Sequence, residues 1–232
     1  LADAFPGRLH YLGGPFGGPG PARNAAVKAA SGKKILIADD DTEAPEGWLL
    51  RLTDAYARYQ CDVLAYALAP ATLAAAPAAY LHYRNLFVTG TRPRENYTGP
   101  AFFLMCRDTF LAAGGFSEDP LSAAEDFDLC FRLQRMGVSI LFDPSITVIH
   151  HYATDWESVR RRILATARDG ARVYRNQQRS RIALTLRALL KWMISPFWTL
   201  RVFPLPLYGK ALLLETLFFR ERLRALWESS AP

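Results

Sequence analysis

Four apolar residues, Ile35-Leu36-Ile37-Ala38, run directly into three aspartates, Asp39, Asp40 and Asp41. A short continuous apolar run of this kind is typical of a strand buried in a parallel sheet. In open parallel sheets, ligands collect at the carboxyl ends of strands. Three adjacent carboxylates placed there repel one another unless something cationic joins them. A hard divalent ion does so, with carboxylate oxygens on one side and substrate phosphates on the other. From the triplet alone, a solvated acidic turn that caps the next helix is the competing reading.

The neighbouring segments set that strand in an alternating pattern. YLGGPFGGPGP (residues 11–21) is too rich in glycine and proline for a helix or strand and reads as a loop. ARNAAVKAASG then reads as a helix closed by Gly32. After the aspartates comes a helix with Pro45 near its start and WLLRLTDAYARY as its body, then a strand in CDVLAYALAP. Residues 71–96 read as helix then loop. From Tyr97, TGPAFFLMCRDTFLAAGGF gives strand, short helix and glycine turn. SAAEDFDLCFRLQRMG is a helix, with Leu129, Leu133 and Met136 on one face and Gly137 at its end. VSILFDPSITVIHHY predicts two short strands around Asp143-Pro144, and residues 155–179 a basic helix. Strands and helices alternating through short connections predict an α/β fold with a mixed, mainly parallel sheet flanked by helices.

Half of the 232 residues are hydrophobic, so the chain can bury a core. Cys61, Cys106 and Cys130 lie far apart, without metal spacing, and read as reduced cytosolic thiols. The net charge of +6 is uneven: residues 1–150 carry 13 Lys and Arg against 16 Asp and Glu, and residues 151–232 carry 15 against 6. This basic tail mixes cations with Trp192, Phe197, Trp198, Phe203, Tyr208, Phe218, Phe219 and Trp227. The mixture suits an anionic membrane surface better than nucleic acid, for which no binding motif accompanies it. Charges at Arg187, Lys191, Arg201, Lys210 and Glu215, and prolines at 196, 204 and 206, interrupt the apolar run before it reaches the roughly 20 residues a spanning helix needs. Amphipathic helices lying at an interface are expected, with packing onto the domain or a homo-oligomer contact as the competing use. The chain therefore divides into a domain at 1–152 and a basic helical extension at 153–232.

Three further clusters bear on chemistry. Glu125, Asp126 and Asp128 open a helix, where acidic residues suit the dipole and where a carboxylate could serve as a base. His150 and His151 end a strand, either structurally or as metal ligands. In Gly20-Pro21-Ala22-Arg23-Asn24 a glycine loop enters a helix, an arrangement that attracts phosphate.

Each cluster is weak alone, but their order and spacing resemble the family-2 glycosyltransferases of the GT-A fold. The resemblance runs from about Gly17 to about Ala171 and is most specific in GPARNAAVKAASGKKILIADDDTEAPEGWL, TGPAFFLMCRDTFLAAGGFSED and AAEDFDLCFRLQRMGVSILFDPSITVIHH. It implies that Asp39 and Asp41 are the outer members of a DxD motif. Asp39, with Asp40, would serve the nucleotide and the metal; Asp41 would bind Mn²⁺ or Mg²⁺ directly. Arg23 and Asn24 match the RN pair near the nucleotide. Asp126 matches the general base, and Glu125 would orient the acceptor or share the proton. Gly114, Gly115 and Phe116 match the GGF turn where acceptor and donor sugar meet. His150, in preference to His151, would be a supplementary metal ligand.

The implied activity is inverting transfer of a sugar from a nucleotide-diphospho-sugar to an acceptor hydroxyl. A glycan or lipid-linked acceptor in the cell envelope and a cytoplasmic, peripheral position at the inner face of the membrane follow from the same resemblance and the tail. The sequence departs from the family pattern in two places. The strand ending in a P-x-[YF]-N-type turn and the following D-[DG]-x-S-type strand are missing, so N-terminal sequence is expected to precede Leu1. The QxxRW motif of processive synthases is absent, which points to single addition. The alternative function is a non-catalytic, membrane-docked scaffold on a truncated transferase fold.

Overall fold

The structure is a computed structural model that describes residues 9–89, 92–95, 102–119, 121, 123–177, 180–203 and 205–228. The elements run α1 (Pro19–Ala29), β1 (Lys34–Ile37), β2 (Thr42–Glu43), α2 (Trp48–Tyr59), β3 (Val63–Pro70), α3 (Ala76–Thr89), β4 (Arg94–Glu95), β5 (Phe103–Cys106), α4 (Arg107–Ala112), α5 (Glu125–Arg135), β6 (Ile140–His150), α6 (Trp156–Asn176), α7 (Arg181–Val202) and α8 (Leu205–Trp227). The start of the segment read from Tyr97 lies outside the described residues.

The strands form one sheet in the order β1-β5-β3-β6-β2, with β4 also pairing β6. β3 and β6 are parallel, while β1–β5, β3–β5, β2–β6 and β4–β6 are antiparallel. The sheet is mixed, as expected, but among the described residues it is not mainly parallel. β1, β3 and β6 do share one direction, as alternating strand–helix units require. β5 runs the opposite way and is wedged between β1 and β3, so it converts two would-be parallel contacts into antiparallel ones.

Period-2 alternation divides the side chains between two layers. Ile35, Ile37, Ala65, Phe103, Met105 and Phe142 face α1, α4 and α5. Leu64, Tyr66, Leu104, Ile146 and Val148 face Trp48, Leu52 and Ala55 of α2. β1 is therefore not the two-sided buried strand that its apolar run predicts: Lys34 and Leu36 are exposed while Ile35 and Ile37 are buried.

Other departures have local causes. α1 begins inside the glycine–proline loop, because Pro19 at the first helical position gives up an N–H that would have no helical partner. It ends at Ala29, with Ala30 extended, before Gly32 is reached. Met136, expected on the buried face of α5, is the exposed C-cap. The two strands expected around Asp143-Pro144 are one strand, β6. Its register against β3 jumps from Tyr66↔Asp143 to Ala67↔Thr147, so Pro144 sits in a bulge and its missing donor disturbs no ladder.

Pro196, expected to break the tail, lies inside α7. The carbonyl of Trp192 that it leaves without an amide partner accepts from the Ser195 hydroxyl at 2.7 Å. α6 and α8 pack with α3 around Tyr80, Val159, Ile163 and Leu214, and α7 packs on α8. Among the described residues no helix is long and apolar enough to cross a membrane.

Candidate functional site

The carboxyl ends of β1 and β6 lie at the same end of the sheet, and the sequence-predicted residues gather there. Arg23, on α1, links two of the acidic clusters. Its guanidinium donates to Asp39 Oδ1 at 2.6 Å and to Glu125 Oε1 at 2.5 Å, and it lies 5.5 Å from the centre of the Phe116 ring. One cation thus joins the end of β1 to the start of α5.

The carboxylates at the start of α5 are buried. Glu125 and Asp126 are 7% and 9% exposed. Burial pushes the Asp126 carboxyl up to about 7, and the neighbouring charge of Glu125 adds to the rise against the Phe127 amide and Arg23. A base titrating near neutrality is suited to proton transfer at physiological pH. The residue before the pair, Ala124, has φ of +69°, a left-handed conformation that costs a residue with a Cβ roughly 1–2 kcal/mol. It directs the chain sharply into α5. Asp169 of α6, fully buried, accepts the Ala123 amide at 3.2 Å and steadies that entry.

Asp41 and His150 form a second convergence. His150 Nε2 lies 3.4 Å from Asp41 Oδ1, and among the described residues neither atom has a hydrogen-bond partner although both are buried. The His150 ring is wholly inaccessible and packs on Tyr152 with centroids 4.3 Å apart. Burial lowers its basicity, against the opposing pull of Asp41, which keeps the ring nitrogen available as a neutral ligand. His151 instead stands exposed, 3.7 Å from Glu43, so the geometry favours His150 of the pair. Asp39 is turned to Arg23, and Asp40 is exposed between them. Among the described residues no three His, Cys, Asp or Glu side chains converge on a metal position. Two facing buried polar atoms, an aspartate oxygen and a neutral imidazole nitrogen, are of the types that would hold a divalent cation.

The turn at Gly114-Gly115-Phe116 is pinned from two sides. The Asn24 amide nitrogen donates to the Phe116 carbonyl at 2.9 Å, and the Phe116 amide donates to Asn24 Oδ1 at 2.8 Å. Arg132 donates to the carbonyls of Ala113 and Gly115. Gly115 has φ of +68°, and a Cβ there would stand 2.5 Å from Asn24 Oδ1. Asn24, expected beside the nucleotide, has its side chain committed to this turn.

Sequence reading did not single out Arg132, Asp169 or Tyr152. Arg132 looks like an ordinary i,i+4 partner of Asp128, a contact it also makes at 2.8 Å. Asp169 is one carboxylate in a basic helix. Tyr66, whose hydroxyl donates to the Ile37 carbonyl at 2.7 Å behind the aspartates, reads as plain core.

The sequence profile described as Glycosyl transferase family 2 matches residues 1–103, which take in Arg23, Asn24 and the three aspartates and stop short of Glu125 and Asp126. Pre-mycofactocin glycosyltransferases from two Mycobacterium tuberculosis strains, CDC 1551 / Oshkosh and ATCC 25618 / H37Rv, are each 26% identical over 153 residues, covering 60% of this chain and 32% of theirs. The chain thus spans about a third of the length of the curated relatives it matches. A solved structure of the mannosyltransferase PcManGT from Pyrobaculum calidifontis, in complex with GDP-Man and Mn2+, is similar in fold, with a TM-score of 0.58 at 13% identity over 90% of this chain and 66% of that one.

Proposed function

We infer, from this chain's membership of the family-2 glycosyltransferases, that its site moves a sugar from a nucleotide-diphospho-sugar to an acceptor hydroxyl with inversion, in single additions. The observation that carries the reading is the Arg23 bridge between Asp39 and Glu125, with the raised carboxyl of Asp126 beside it. It brings a nucleotide-side acid and a candidate base to one edge of the sheet.

In this reading the ionised Asp126 takes the proton of the acceptor hydroxyl. The freed oxygen forms a bond to the anomeric carbon as the bond to the diphosphate breaks on the opposite face, so configuration inverts. Glu125 is held by Arg23 and orients the acceptor. Arg23 sets a fixed positive charge at the donor end, and Asn24 with Arg132 holds the glycine turn that shapes the sugar pocket. Asp41 and His150 would hold Mn²⁺ or Mg²⁺. When bound, such an ion offsets the charge growing on the departing diphosphate.

The tail supports a membrane-side setting. Ile182, Leu186, Leu190, Met193, Phe197 and Leu200 recur at helical spacing on α7 and are exposed, Phe197 at 77%. Arg187, Lys191 and Arg201 accompany them. This face is read as lying on the anionic inner surface of the cell membrane, with a lipid-linked or cell-envelope glycan as acceptor.

The test is release of nucleoside diphosphate from UDP-, GDP- and dTDP-sugars with Mn²⁺ or Mg²⁺. Metal-dependent release that is lost in both Asp41→Ala and Asp126→Asn is the expected result. No turnover of any donor, together with no donor binding by calorimetry, would leave the scaffold as the function.

A further inference from the structure

A cavity of about 160 Å³ lies where α3, α5, α6, α7 and α8 meet. By the measure in which one water needs about 10–15 Å³, it has room for a phosphate group and several carbons. Its charges do not balance. Arg84, Lys191 and Arg222 line it, against one lining carboxylate, Glu215. That carboxylate is already engaged: it accepts from Arg84 Nε at 2.9 Å and from the Tyr80 hydroxyl at 2.6 Å.

Among the described residues Arg222 has no carboxylate of its own. Its guanidinium lies 5.2 Å from the Tyr174 ring centre, and its Nε is buried with no hydrogen-bond partner among the described residues. Burial and the like charges of Arg187 and Arg84 pull it below the usual arginine range, against a hydrogen bond to Tyr174. Lys191, at the exposed rim, is lowered by burial of its ammonium and by the same arginines. A buried cation facing like charges is stable only if something anionic joins it. Much of the remaining wall is aromatic, including Phe127, Trp192 and Phe218, beside Thr166, Gly170 and Ala188.

We propose that this cavity binds an anionic amphiphile, with a phosphate or diphosphate held between Arg222, Arg84 and Lys191 and an apolar chain along the aromatic wall. The rim residues Lys191 and Trp192 stand on α7 between Leu190 and Met193, both exposed, so an apolar chain leaving the cavity meets an apolar face. Phe127 follows Asp126 directly, so the cavity adjoins the helical turn that carries the base. Identifying this amphiphile as the sugar acceptor rests on the function proposed above; its binding does not.

The test is calorimetric titration of the chain with octyl phosphate below its self-association limit, with inorganic phosphate and octanol as the separate halves of the ligand. Octyl phosphate should bind at least about tenfold more tightly than either half, and Arg222→Leu should weaken it by about tenfold or more. Lys191→Gln, at the rim, should weaken it severalfold without disturbing the fold. Because Arg222 lacks a carboxylate partner among the described residues and loses only its Tyr174 contacts, Arg222→Leu should melt within a few degrees of the parent. A melting temperature lower by more than that, with unchanged octyl phosphate binding, would assign Arg222 to structure and overturn the site. Inorganic phosphate binding as tightly as octyl phosphate would overturn the amphiphile. Donor turnover is read separately: turnover that persists undiminished in Asp126→Asn, with octyl phosphate binding intact, would sink the transferase reading alone.

Discussion

Asn24 and Phe116, 92 positions apart in the chain, exchange two hydrogen bonds at 2.9 and 2.8 Å, one in each direction between a side-chain amide and a backbone. The pair fixes where the glycine turn stands relative to α1. Asn24→Ala leaves two buried backbone groups unpaired and should cost about 2–4 kcal/mol. Gly115→Ala should cost a similar amount, because its φ of +68° disfavours a Cβ that would also collide with Asn24. Urea denaturation with a lowered midpoint and an unchanged slope is the expected reading.

Removing the Arg23 bridge should act on both of its partners. Arg23→Leu leaves Glu125, 9% exposed at its side chain, buried without a counter-charge. The loss of stability should be about 1–3 kcal/mol. Arg23→Lys should restore little, since an ammonium cannot fork to two carboxylates as a guanidinium does. Donor affinity measured by calorimetry should fall in both variants.

Asp126 carries a pH signature. Its folded value is about 7, well above the ordinary aspartate range. The folded chain therefore binds this proton more tightly than the unfolded chain. The associated stability is full below about pH 4 and is lost as pH rises through 7. Asp126→Asn, which removes the ionisation, should be more stable than the parent at pH 8 by up to about 4 kcal/mol, with the difference vanishing near pH 4. Transfer by the parent should rise with pH through about 7, since the base acts when ionised. Arg23 holds the Asp126 value down, so in Arg23→Leu the same rise should move to higher pH.

The exposed face of α7 is open to direct test. Leu190→Glu with Phe197→Glu should reduce co-sedimentation with vesicles containing anionic lipid by about tenfold or more, while leaving the melting temperature within a few degrees. Equal sedimentation of parent and variant would remove the membrane from this account.

Much of the architecture was legible in the sequence, and the exceptions share a cause. Helices with strong periodicity and distinct ends, such as Trp48–Tyr59 and Glu125–Arg135, follow from local pattern. That Asp39, Asp41, Glu125, Asp126 and His150 belong to one site was implied by the family resemblance and not by local pattern. The reversed insertion of β5 between β1 and β3 does not follow from local pattern either, because four apolar residues carry no record of strand direction. Nor does the continuity of β6 through Pro144, which depends on a bulge against β3. Pro196 misleads for the same reason: the hydroxyl that repairs its helix is contributed by a serine whose role is invisible until the turn exists. At the site, residue types were readable and commitments were not. Asn24 reads as a ligand-facing amide until Phe116 is brought to it, and Asp39 reads as a metal ligand until Arg23 claims one of its oxygens.

The placement of β5 beside β1 also governs how this molecule must fold. Lys34–Ile37 can pair only after Phe103–Cys106 has been delivered, and Arg23 can bridge only after Glu125 has arrived. Contacts of such long sequence separation give a high contact order, which slows folding because loop closure must precede the contacts that reward it. The chemistry of the site is therefore a late product of folding. A chain released before Glu125 is made would hold the aspartates and the arginine but not the candidate base, and a ligand that holds Asp39, Asp41 and Asp126 together would act as a clasp on the whole sheet rather than on one loop.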